Sequence, residues 1–581
     1  MKTDALKKQI DVASGRIPAD LVITNGIIAD VYTGAFVEAD IAVCGGVVAA
    51  VGGRGVYRGL ETVDAGGQYV LPGFIDGHIH IESSFLSPPQ LCRLLAPLGT
   101  STLIADPHEI MNVSGLAGLD FMLESSEGLP LDIKFMAPSC VPSTPFEHSG
   151  AVLDARSLEA PLANDRVLGL GEMMDCPGVI NCSGAVLDKI LAALNKGKII
   201  DGHSPGIAGL DLAAYAAGRI HTDHECSTVE DMRLRIAMGM YVLLRQGSAC
   251  HDLQNLIPGV TAGNSRRCLI CSDDLQPRTI LEKGHLDNDL RICVAAGLDP
   301  MTAVRMVTLN AAECYGLKDR GGFAPGLRAD MVLVKDLRDF RAGKVFLEGR
   351  LVAENGSYLP GPPPPCDDSP VRSSFNVRGF SVKKLQMPLK SGTAWVVDIK
   401  RGGVVTGKGK AAVRRDSDGN FIFDPFLDVV KIAVVERHHG TGNVGLGLLR
   451  GYGIKGGAVA ISVAHDSHNI IAAGTCDGDI AAAVERIVAM RGGAVLVRDG
   501  AILGEMALPL GGLMSDQNGE WVCGKLTALQ EAAFAELGVN REVEPLMTLC
   551  FMSLPVIPEL KVTDKGLFDF ASFGIIPIEA E

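Results

Sequence analysis

Eight short apolar runs between residues 73 and 274, each closing on a polar cluster, constrain this chain's fold more than any other feature. They read GFIDGHIH, STLIADPHE, DIKFMAPSC, RVLGLGEMMD, KIIDGHSPG, GRIHTDHECS, MYVLLRQGS and RCLICSDD. Between them lie Ala/Leu-rich stretches of helical character, among them LDLAAYAAG and TVEDMRLRIAMG. Strands that alternate with helices predict parallel βα units. A closed (β/α)₈ TIM barrel takes about 250 residues and builds its active site at the C-terminal ends of its strands, where these polar clusters stand. The expectation is an α/β fold with the barrel over residues 72–322.

The barrel is flanked by shorter, glycine-punctuated β-patterns. LVITNGIIAD, VEADIAVCGGVVAAVGG and ETVDAGGQYV fall within residues 1–71, and ADMVLVKD and GKVFLEGRLVAENG within residues 323–357. Neither set makes a stable sheet alone, so the two flanks are expected to complete one small β-sandwich. The stretch SYLPGPPPPCDDSP carries a proline run that continues neither strand nor helix, which marks residues 358–372 as a linker. Residues 373–581 then read as a separate C-terminal α+β domain.

Charge and cysteine usage narrow the function classes. A net charge of −15 leaves no basic surface to neutralise phosphates, so no nucleic-acid partner is expected. No apolar run is long enough for a membrane span, and the first ten residues lack the core of a signal peptide. Fifteen cysteines scattered without a framework suit a reducing compartment, which together gives a soluble, cytoplasmic expectation.

The chemistry starts at His78-Ile79-His80. With a strand period of two, both imidazoles face one side and can grip zinc, iron or manganese; alternatively they form a hydrogen-bonded pair at a strand end. Later runs add Glu172, His203, His224 and Asp273. Four imidazoles and two carboxylates at successive strand ends can hold two divalent ions. Asp106, His108 and Glu109 crowd the second strand end, either as hydrogen-bonded support or in contact with substrate or a further metal. Glu82 and Ser83 follow the first histidine pair and are candidates to contact substrate or order the metal ligands. Asp274 points away from Asp273 if the strand persists, and otherwise reaches the substrate. In the C-terminal domain, His465 and His468 of HDSHN bind metal, cap the barrel mouth or stack polar groups against substrate, or else form a bonded turn at a domain interface. Cys268 and Cys271, on opposite faces of a strand, and the loop GTGNVGLG read as structural.

PGFIDGHIHIESS followed by Glu, His, His and Asp at later strand ends resembles the amidohydrolase superfamily. The longer phrases ADPHEI, GEMMD, DGHSPG, TDHE, CSDD and HDSHN resemble, within it, the adenine deaminase family. The resemblance implies a binuclear site for manganese or ferrous iron, with zinc as an alternative. His78, His80, Glu172, His203, His224 and Asp273 are its ligand candidates. It implies hydrolysis of adenine to hypoxanthine and ammonia in purine salvage, by a homo-oligomer. Glu172 stands where many superfamily members carry a carboxylated lysine. Asp273 is expected to carry the proton of the attacking water, and Glu172 or Glu109 to serve ring N1. Glu82, Ser83, Asp106, His108, Asp274, His465 and His468 are the substrate-binding candidates. Two other readings stay open: an amidohydrolase of a cyclic amide or related amino-heterocycle, and an inactive binding protein of the same fold.

Overall fold

The computed structural model describes residues 3–372, 374–400 and 405–580. Eight parallel strands stand where the apolar runs do: β1 Phe74–His80, β2 Thr100–Ala105, β3 Asp132–Ala137, β4 Val167–Met173, β5 Ile199–Gly202, β6 Thr222–Asp223, β7 Tyr241–Arg245 and β8 Cys268–Cys271. They pair in parallel from β1 through β5 and from β6 through β8. Between β5 and β6 the ladder thins: His221 N–H donates to Ile200 O at 2.8 Å, and Gly202 N–H to Thr222 Oγ1 at 3.1 Å. Asp273 and Asp274, just past β8, pair with Ile79 and His80 and close the ring.

Ile75, Ile104, Met136, Leu243 and Leu269 point inward and fill the barrel, so the polar clusters sit on a packed apolar floor. Cys271 belongs to this filling and Cys268 to the layer outside it, as an odd spacing on a strand requires. The helix Val229–Ala237 starts where Thr228 and Asp231 satisfy each other's backbone N–H groups, a capping box.

The two flanks join in one nine-stranded sheet, through antiparallel pairing of Tyr69–Pro72 with Met331–Val334. The sheet rolls, since Val48 N–H near its edge donates to Leu327 O at 2.8 Å. Its filling, including Ile23, Ile41, Val70, Met331 and Phe346, comes from both flanks, which join in a single sheet rather than in two separate ones. From Leu359 to Asp368 the chain forms neither strand nor helix. Residue 373, where the C-terminal domain is expected to start, lies outside the described residues, as does residue 581.

The C-terminal region is built on an eight-stranded sheet whose central strands are Val429–Val435, Ile470–Gly474 and Ala458–Ile461. The helix Asp477–Met490 packs on one face through Ile480, Val484 and Ile487. The other face shares a continuous apolar core with the barrel, which includes Leu91, Leu95 and Phe121 on one side and Val430, Ile432 and Ile461 on the other. Polar contacts reinforce that junction. Ser515 N–H donates to Phe85 O at 2.8 Å, Asn469 Nδ2 to His148 O at 2.8 Å, and the His148 ring meets Asp564 at 2.5 Å.

Candidate active site

β1 delivers His78 and His80 side by side, with their Nε2 atoms 3.1 Å apart. His80 Nδ1 lies 3.0 Å from the Asp106 carbonyl, which holds its proton there and turns the Nε2 lone pair inward. Glu172, near the end of β4, gathers the other imidazoles. Its Oε1 is 3.4 Å from His80 Nε2 and 3.1 Å from His108 Nδ1; its Oε2 is 2.9 Å from His203 Nδ1 and 3.2 Å from His224 Nε2. Burial pushes the Glu172 carboxyl up, but the neighbouring imidazoles of His108, His203 and His224 outweigh it and hold it well below the usual range. Gly171 makes room for this arrangement: a Cβ there would stand 2.2 Å from Asp106 Oδ2, which accepts the Glu172 N–H at 2.9 Å.

Asp273 completes the ring with its Oδ1 3.1 Å from His80 Nε2 and 3.8 Å from His78 Nε2. It has a left-handed backbone, φ 58°, which aspartate tolerates better than most residues. That turn breaks the strand alternation, so Asp274 lines the cavity beside Asp273 instead of pointing away. Asp274 Oδ1 accepts the Ser83 hydroxyl at 2.5 Å.

The donor set fits a divalent cation. Imidazole and carboxylate are the ligand types of zinc, iron and manganese. His78 Nε2 and His80 Nε2 converge closer than two lone pairs tolerate unless a proton or cation stands between them. Glu172 Oε2 is buried without an accepted hydrogen bond despite its two imidazole neighbours. His78, His224 and Asp273 form one cation-sized grouping, and Glu172, His203 and His224 another.

The cavity above this cluster has walls from two parts of the chain. The barrel supplies His80, His108, Glu109, Glu172, His203, His224, Asp273 and Asp274; the C-terminal region supplies His465, Asp466, Phe551, Leu554 and Ile557. Glu109, at the start of the helix His108–Ser114, meets His465 Nδ1 at 3.0 Å and His468 Nε2 at 2.9 Å. Burial pushes the Glu109 carboxyl up, but these two imidazoles hold it well below the usual range.

Glu82, Asp106 and His468, expected to contact substrate, stand behind the cavity wall, each engaged by protein groups. Glu82 Oε1 accepts the Ile110 N–H at 3.1 Å, Asp106 supports Glu172 and His80, and His468 backs Glu109. Ser83 lines a smaller adjoining recess with Phe85, Asp274 and His465. Sequence reasoning missed Glu225, Arg245 and the apolar trio Phe551, Leu554 and Ile557. Arg245 ends β7 in the run MYVLLRQGS and bonds Asp273 Oδ2 at 2.9 Å, Asp252 and Glu225. Its position at a strand end was the available signal. The trio sits in FMSLPVIP, which carries no chemical signature.

Residues 69–352 match the amidohydrolase family and residues 403–574 the adenine deaminase C-terminal domain. Among curated relatives, adenine deaminase 2 of Desulfotalea psychrophila is 57% identical over 580 residues, covering 100% of both chains. The chain belongs to the adenine deaminase family. Adenine deaminases of Nitratidesulfovibrio vulgaris and Ligilactobacillus salivarius are 51% and 48% identical, covering 99% and 100% of both chains. Family membership thus accounts for both walls of the cavity, the amidohydrolase half carrying the ligand candidates and the adenine deaminase C-terminal half the roof. No helix among the described residues is long and apolar enough to cross a membrane.

Proposed function

We propose that this chain hydrolyses adenine to hypoxanthine and ammonia, in purine salvage. The observation that carries the reading is the meeting of a six-residue ligand cluster with a C-terminal roof over one small cavity. The roof is the part that distinguishes this family from amidohydrolases at large.

His78, His80, Glu172, His203, His224 and Asp273 would hold two divalent ions, manganese or ferrous iron with zinc as an alternative. Such an ion supplies Lewis acidity, bringing a water to ionisation near neutral pH. Asp273 takes the proton of the attacking water and returns it to the amine at C6 as the C–N bond breaks. Arg245 fixes Asp273 Oδ2, so that Oδ1 is the oxygen turned to the reacting centre. Glu172 has imidazoles on both oxygens, which supports a ligand role over a proton shuttle. Phe551, Leu554 and Ile557 offer an apolar face to a flat base and keep bulk water out. The same reading sets the enzyme in the cytoplasm, where its fifteen cysteines stay reduced, and as a homo-oligomer.

The test is ammonia release from adenine by the purified chain loaded with manganese or ferrous iron, with the product identified by its ultraviolet spectrum. Metal-dependent hypoxanthine formation is expected. Stoichiometric metal without turnover would discard adenine and direct the search to cyclic amides and other amino-heterocycles.

A further inference from the structure

Attack at C6 drives an electron pair onto ring N1, so N1 must receive a proton as C6 becomes tetrahedral. This inference rests on the adenine reading and asks which group supplies that proton. Glu172 is occupied by four imidazoles. Glu109 has an imidazole on each oxygen and is held ionised, so it has no proton to give. Glu225 is paired with Arg245, and Asp274 is an acceptor for Ser83. Asp466 Oδ1 lies 3.7 Å from His108 Nε2 and its Oδ2 has no hydrogen-bond partner, so it is the competing group that the Asp466→Asn variant below tests.

His465 has the geometry that fits the task best. Its ring is clamped flat against Phe551, with centroids 4.5 Å apart and planes 17° from parallel. Glu109 Oε1, 3.0 Å from Nδ1, keeps a proton on that nitrogen and leaves Nε2 to gain and lose one. The ring also lines the same cavity as the ligand candidates His80, Glu172, His203, His224 and Asp273.

His468 sharpens the arrangement. Its Nδ1 accepts the Ala464 N–H at 3.2 Å, so the neutral ring carries its proton on Nε2, which lies 2.9 Å from Glu109 Oε2. Burial pulls the His468 pKa down to about 4, which keeps that ring neutral. The charge of Glu109 therefore acts on His465. Burial alone would lower His465, but Glu109, with Asp274 and Asp466, raises it to about 9. Glu109, His465 and His468 also lie close enough to suggest a further cation site. The Ala464 bond speaks against it, since His468 would have to become an imidazolate to ligate through Nε2.

We propose that His465, contributed by the C-terminal domain, is the acid that protonates ring N1 of adenine, with Glu109 holding it in that role. The protons balance. Asp273 takes one proton from the water as its oxygen bonds C6, and His465 Nε2 gives one to N1. Asp273 then protonates the amine, the C6–N bond breaks to release ammonia, and the new hydroxyl loses its proton as the C6 carbonyl forms. That last proton equals the one His465 gave, and the N1 proton stays on hypoxanthine.

The experiment compares wild type, His465→Asn, His465→Ala and Asp466→Asn as full-length manganese enzymes, measuring kcat, KM, bound metal and thermal midpoint. For His465→Asn a loss of about 10²–10⁴-fold in kcat is expected, with KM changed by less than about fivefold and metal content unchanged. Added imidazole is expected to restore part of the rate to His465→Ala and none to Asp466→Asn. A His465→Asn enzyme within about threefold of wild-type kcat would overturn the proposal. So would loss of rate in step with loss of metal, or a large loss in Asp466→Asn with His465→Asn unaffected. A wild-type chain that leaves adenine untouched removes the functional reading and this one with it; an active wild type indifferent to His465 removes this one alone.

Discussion

Asp273 works with both carboxylate oxygens, one fixed by Arg245 and the other turned to His80 and His78. An amide in its place keeps the shape and loses the capacity to carry a proton. Asp273→Asn is therefore expected to lower kcat by about 10²–10⁴-fold with the fold retained, as read by steady-state kinetics and circular dichroism. Normal turnover would refute the shuttle role. A second prediction concerns pH. His465, faced by Glu109, Asp274, Asp466 and His468, holds its raised pKa of about 9, and its acid form is the active one. kcat/KM should thus be sustained below about pH 9 and fall as pH rises through it. Glu109→Gln removes the main raising charge while burial still lowers the ring, so the alkaline limb should move down by more than about one unit. A limb that stays in place would separate it from His465. At this scale the convergence of His78, His80, Glu172, His203, His224 and Asp273 was legible because His, Glu and Asp at strand ends have few purely structural uses. The left-handed turn at Asp273 was not, since φ follows from how β8 meets β1 rather than from the residue itself.

The sixth strand and the helix after it show how elements hold the site. β6 is two residues long, and its Asp223 precedes the ligand candidate His224. The helix Val229–Ala237 places Arg235, fully buried, so that its Nε bonds Asp223 Oδ2 at 2.9 Å while Nη2 bonds the Ser204 carbonyl next to His203. One guanidinium thereby ties together the loops that carry two ligand candidates. Arg235→Met leaves the Asp223 charge buried and unpaired, which costs about 3–5 kcal/mol in such pairs. Lower stability in urea unfolding and weaker metal retention under a chelator are expected together. A destabilised variant with undiminished metal affinity would show that the ligands are positioned without it. The helix itself was readable from TVEDMRLRIAMG and its capping box, and the strands from apolar runs that end in polar clusters. Arg235 as a site support was not readable, because a charged residue on a helix usually faces water.

At the scale of the whole molecule, the barrel and C-terminal region meet over a shared apolar core, while the covalent connection between them is a proline run without regular structure. The order of the domains was legible because proline breaks both kinds of element. Their closure over one cavity was not, since Phe551, Leu554 and Ile557 look like ordinary core residues until the fold brings them to the barrel mouth. This division of labour makes a prediction about the linker. If non-covalent packing holds the roof in place, the chain between residues 361 and 364 is dispensable once folding is complete. A protease site inserted there should be cleaved in the folded enzyme. The two pieces should then co-elute in gel filtration, with kcat within about threefold of the intact chain. The bonds from Ser515 to Phe85 and from Thr563 to Phe146, and the His148–Asp564 pair, lie away from the cut and survive it. Separation of the pieces, or loss of turnover while they stay together, would show that linker tension sets the roof rather than the interface. The same cleaved enzyme should lose activity when urea first parts the halves, because His465 leaves the site with the roof while the ligand candidates stay behind in the barrel.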